Sequence, residues 1–123
     1  MRSEAPAPIT SEEILRRLTI GDVRFCQALV AGAYPDAVGG LDVRSVALVR
    51  LGGSIAAGAA GPMLRQRVGD AQHAGVGFDE IVAALLALTP TVGIERIVAA
   101  APHLSEALGY DVAGALETLD DGL

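Results

Sequence analysis

From position 11 onward, apolar residues return every three or four positions, the spacing that gathers side chains on one face of an α-helix. Thr10 followed by Glu13 has capping-box spacing and predicts a short helix over Ser11 to Leu18. Val23, Cys26, Leu29 and Val30 share one face of a second helix, which starts near Gly21-Asp22 and is broken by Tyr34-Pro35-Asp36 and Gly39-Gly40. Asp42 is a suitable N-cap for a long helix through Val43, Val46 and Val49. That helix runs into a tract of small residues, Gly52, Gly53, Ala56 and Ala57, where glycines lower helix propensity but admit a close neighbour. Gly58 to Gly61 reads as a turn. Pro62 opens the next helix, whose Leu64, Val68 and Ala71 point to the core until Gly75 ends it.

Asp79 and Glu80 begin a helix over residues 79–88 that is apolar on every side, the mark of burial within a monomer or between subunits. The last strong pattern is Ile94, Ile97, Val98, Ala101 and Leu104, with Pro102 inside it predicting a kink or a division. After Gly109 the pattern weakens to Val112, Leu116 and Leu119 before an acidic end. No stretch alternates with period two, and no solenoid-type repeat is present. The expectation is an all-α protein of about six helices and a single domain overall. A flexible arm is expected over residues 1–10, lead-in helices over 11–40, a core over 41–109 and a tail over 110–123.

Composition narrows the function classes. Apolar residues make up 51% of the 123, but only Phe25, Tyr34, Phe78 and Tyr110 are aromatic, so the core is built of Ala, Val, Leu and Ile. A domain of this size gains stability from self-association. The formal charge of −6 argues against nucleic acid as a partner, and the absence of lysine removes side-chain Schiff-base chemistry. Cys26 is the only thiol, which leaves no intrachain disulfide, no CxxC pair and no cysteine-based zinc site. It reads as a small buried hydrophobe in a reducing compartment. The segment MRSEAPAPIT lacks the apolar stretch of a signal peptide, and Pro90 cuts the longest apolar run, so a cytoplasmic protein without membrane contact is expected.

Four pieces, LDVRSVALVRL, the helix ending HAG, GFDEIVAALLAL and PTVGIERIVAAAPHLSEALG, follow one another between Leu41 and Gly109. In that order and spacing they resemble the carboxymuconolactone decarboxylase and alkylhydroperoxidase D family, over about 70 of the 123 residues. The resemblance implies an alkylhydroperoxidase D-like helical domain, assembled as a trimer or hexamer and working without a cofactor. It sets Arg67 where the family keeps its proton-transferring histidine, and Ala60 and Met63 where the redox subgroup keeps two cysteines. The dithiol peroxidase mechanism has therefore lost its parts, and the decarboxylase mechanism has lost its histidine.

Arg67 cannot act as a general base near neutral pH, but a guanidinium grips a carboxylate or stabilises a developing oxyanion. Its other reading is an ion pair with Asp70 at i+3. Asp70 and His73, three residues apart, have the spacing in which a carboxylate orients an imidazole for proton transfer, or they mark a solvated helix end. His103 has Glu106 at i+3, but a metal would need His73 and His103 brought together by folding, and no metal is expected. Arg44 and Arg50 need partners, among them Asp42, Asp79, Glu80 or a neighbouring subunit. Two functions stand. One is a cofactor-free, lyase-type enzyme acting on a small anionic or lactone-type metabolite, with Arg67 binding the substrate and Asp70 and His73 catalytic. The other is a non-catalytic helical oligomer that binds a small molecule or scaffolds a partner. A thiol peroxidase acting through Cys26 alone is a distant third, because no second cysteine resolves a sulfenic acid.

Overall fold

The computed structural model describes residues 9–34 and 39–122, with side chains through Leu119 at the C-terminal end. Residues 1–8 of the expected arm, residues 35–38 of the expected helix break and the acidic side chains after Leu119 lie outside that description. Seven helices and no strand occur among the described residues, which group into two compact units dividing between Leu41 and Asp42.

The first unit holds α1 (Ser11–Thr19) and α2 (Val23–Val30). Thr10 caps α1 by accepting the Glu13 N–H at 3.1 Å. The Glu13 carboxylate turns to Arg17 (2.7 Å) and Arg16 (3.4 Å), so half of the anticipated capping box forms and the acid spends its charge along the helix. Asp22 caps α2 through the Phe25 N–H at 3.1 Å. The inward side of α2 centres on Phe25, the only buried residue of the helix; Val23 and Val30, of the apolar face read from the sequence, are exposed. The Arg17 guanidinium lies 5.4 Å from the centre of the Phe25 ring, and the Tyr34 ring sits 5.3 Å from it on a tilt.

The second unit contains α3 (Val43–Ala56), α4 (Gly61–His73), α5 (Phe78–Val92), α6 (Ile94–Ala107) and α7 (Val112–Gly122). Helix α7 is the element beyond the six expected, formed where the tail's periodicity was weakest. α3 packs on α4, α5 and α6, and α6 also packs on α4 and α5. Their shared core is Leu51 and Ile55 of α3, Leu64, Val68 and Ala71 of α4, Ile81 of α5, and Ile97, Ala100 and Leu104 of α6. Asp42 caps α3, as its position indicated, accepting the Ser45 N–H at 2.7 Å. The buried face of α3 is Ala47, Leu51, Gly52 and Ile55, while Val43 and Val49 are exposed. Of the two adjacent glycines only Gly52 admits a close neighbour: a methyl group there would press on the Leu88 side chain, whereas Gly53 faces open space.

Pro102, expected to kink or divide its helix, is carried within α6, and Pro90, beyond the expected end of its helix at residue 88, is carried within α5. Each lies on a solvent-facing side, and the residues four positions earlier, Leu86 and Val98, are exposed too. On an exposed side, a carbonyl that proline leaves without a donor can turn to solvent, which lets a helix continue through proline. A single residue, Gly93, ends α5 and opens α6 at φ +97°, a conformation L side chains rarely adopt. Arg44 finds its partner in Glu80, joining the first turns of α3 and α5. Although α5 is apolar all round, only Ile81 is buried; Leu85 and Leu88 pack partly against the core, and Leu86 is 71% exposed. No described helix is long and apolar enough to cross a membrane.

Candidate functional site

The turn from α3 into α4 is shaped by small residues. Gly58 adopts φ +71°, and the chain enters α4 at Ala60, which offers no side-chain cap, with Gly61 and Pro62 as the first helical residues. α6 crosses beside this turn and lays two polar side chains on it. A methyl group on Gly58 would collide with the Arg96 guanidinium, and one on Gly61 with the His103 ring. The absence of both Cβ atoms is therefore what lets Arg96 and His103 reach the backbone of the turn.

Between the turn and α6 lies a cleft of about 220 Å³. Ile55, Leu64 and Ala100 give it apolar walls, Ala60 and Gly61 form its backbone side, and Arg96 and His103 are its only charged or titratable lining groups among the described residues. That volume is below the 300 Å³ or so at which drug-sized pockets begin, so it suits a ligand of a few heavy atoms. No carboxylate among the described residues pairs with Arg96. Arg65 approaches His103 Nδ1 at 3.5 Å and Glu106 at 3.6 Å. A guanidinium only donates, so Nδ1 accepts, and in the neutral ring Nε2 carries the proton.

The residues singled out from sequence lie elsewhere on α4. Arg67 Nε donates to Ser54 Oγ at 3.2 Å, and its terminal nitrogen lies 3.6 Å from Asp70. The structure thus brings Arg67 and Asp70 together, with Ser54 of α3 as a third member, and none of the three lines the cleft. His73 stays apart: its Nδ1 lies 2.8 Å from the Gly69 carbonyl, which can only accept, so Nδ1 carries the proton. Ala60 lines the cleft, while Met63 is 42% exposed and does not. Cys26 is half-buried in the first unit. Among the described residues, no three His, Cys, Asp or Glu side chains converge as a metal-holding group.

Arg96 was not legible as a site residue because its contact with Gly58 spans 38 positions of the chain. The paired glycines of the turn were the available signal. Comparison with protein-family models, curated proteins and solved structures found no match to this chain in any of the three.

Proposed function

We propose that this chain is a divergent helical domain of the carboxymuconolactone decarboxylase and alkylhydroperoxidase D kind, which binds a small carboxylate or lactone-type metabolite in the cleft between the α3–α4 turn and α6. The observation that carries the reading is the seating of Arg96 and His103 against Gly58 and Gly61 at the mouth of an otherwise apolar cleft. Arg96 supplies a forked, permanently charged donor for an anion, and His103 supplies the imidazole of the cleft lining, a side chain that can accept or donate a proton. Ala60 in the cleft wall puts the site beside a position that the family resemblance marks as functional. Arg67, held by Ser54 and Asp70, has a structural role in this reading.

The enzyme would be a cofactor-free lyase of the cytoplasm, with Arg96 orienting the anion and His103 moving the proton. The non-catalytic alternative, an oligomer that binds or scaffolds, draws support from the solvent-facing apolar side of α5. A ligand that binds only the folded state raises its melting temperature. A thermal-shift panel of small carboxylates and lactones against the wild type, Arg96→Ala and Arg67→Ala tests the reading. Stabilisation kept in Arg67→Ala and lost in Arg96→Ala is the expected result, and the reverse pattern would return the site to Arg67. Turnover of a stabilising ligand, removed by His103→Gln while binding persists, separates the enzyme from the binder.

A further inference from the structure

The corner between α1 and α2 frames an open concavity of about 430 Å³, whose lining includes Arg16, Arg17, Asp22, Arg24, Phe25 and Tyr34. In a chain of net charge −6, three of the nine arginines converge on this one concavity. Among the described residues, two carboxylates, those of Glu13 and Asp22, stand against the three guanidiniums. One carboxylate oxygen of Glu13 is shared between Arg17 at 2.7 Å and Arg16 at 3.4 Å. Asp22 Oδ1 accepts the Phe25 N–H as the α2 cap, and no arginine lies within ion-pair distance of Asp22 among the described residues. Arg24 has no carboxylate partner among the described residues. It also stands in the first turn of α2, where the helix dipole disfavours a cation, so its own helix gives it no reason to be there.

The arginines are also partly pre-positioned. The face of the buried Phe25 ring holds the Arg17 guanidinium, and the tilted Tyr34 ring packs against Phe25 beside it. A guanidinium fixed in this way loses little freedom when it takes a forked, charge-assisted pair of hydrogen bonds. The cavity falls within the size range of small-molecule sites, and among the described residues its three guanidiniums outnumber by one the carboxylates of Glu13 and Asp22 beside them.

We infer that the α1–α2 corner binds a compact dianion, a phosphate group or a short dicarboxylate, between Arg16, Arg17 and Arg24. This site belongs to the first unit and does not depend on the cleft beside Gly58. The test is a titration of the 123-residue chain, followed by the arginine Nε–H and backbone amide resonances of residues 16–25. Inorganic phosphate and succinate form separate arms, with sodium chloride at matched ionic strength as control. Saturable shifts confined to these residues are expected from at least one dianion. Arg24→Gln, an exposed change that leaves the α2 cap intact, should weaken them about tenfold, the scale of one lost charge-assisted contact. Stronger binding of phosphate identifies a phosphate site, and stronger binding of succinate a dicarboxylate site. The inference is overturned if neither dianion saturates, if chloride reproduces the shifts, or if Arg24→Gln binds as well as the wild type while its circular dichroism is unchanged.

Discussion

At the scale of single residues, two arginines with the same chemistry end in different circumstances. Arg67 lies 3.6 Å from Asp70 and donates to Ser54, whereas Arg96 meets a glycine turn and a cleft. Gly58→Ala tests how closely the turn and Arg96 are fitted. The added methyl group forces a non-glycine residue to positive φ, a cost of about 1–2 kcal/mol, and pushes the guanidinium out of place. Chemical denaturation should report that loss, and ligand response should fall with it. Asp42 provides a pH test. Hydrogen bonds from Ser45, backbone first and then side chain, hold its carboxyl below the ordinary aspartate range, with Arg44 adding a smaller Coulombic pull. A depressed carboxyl stabilises the fold at pH above its unfolded value, and the contribution disappears as pH falls through its folded value. Asp42→Ala should therefore lower Tm at neutral pH, and the gap to the wild type should close on acidification below the aspartate range.

At the scale of elements, the local signals were legible and the inward faces were not. Thr10, Asp22 and Asp42 act within three residues of themselves, so the chain text is enough to locate the helix starts near them. Which face of α3 turns inward depends on α4, α5 and α6, and that contact selected Leu51 and Ile55 over Val43 and Val49. Pro102 signalled a kink or division because the chain text does not reveal that it would sit on an exposed side of α6. The same distinction limits the site: the glycines at 58 and 61 were visible as a turn, but the guanidinium and imidazole resting on them were not. Leu51 is 1% exposed at the junction of the helices, so Leu51→Ala should cost about 2–5 kcal/mol in denaturant unfolding. A loss below about 1 kcal/mol would mean that the α3 face is assigned wrongly.

At the scale of the whole molecule, α5 places apolar side chains in water that a monomer has no use for. Leu86, 71% exposed, is central to that face, and replacing it should leave the monomer's core untouched. If copies associate through α5, Leu86→Glu should shift the sedimentation mass toward the 12.5 kDa of one chain without lowering helical content. A wild-type protein that already sediments as a monomer would remove α5 as an interface. The central claim is that the cleft beside the α3–α4 turn receives a small anion, and an NMR titration with the best carboxylate or lactone from the panel tests it most directly. Saturable shifts centred on Gly58 to Gly61, Arg96 and His103 are expected, lost in Arg96→Ala and kept in Arg67→Ala. Shifts centred on Ser54, Arg67 and Asp70, or no saturable response near the turn, would contradict it.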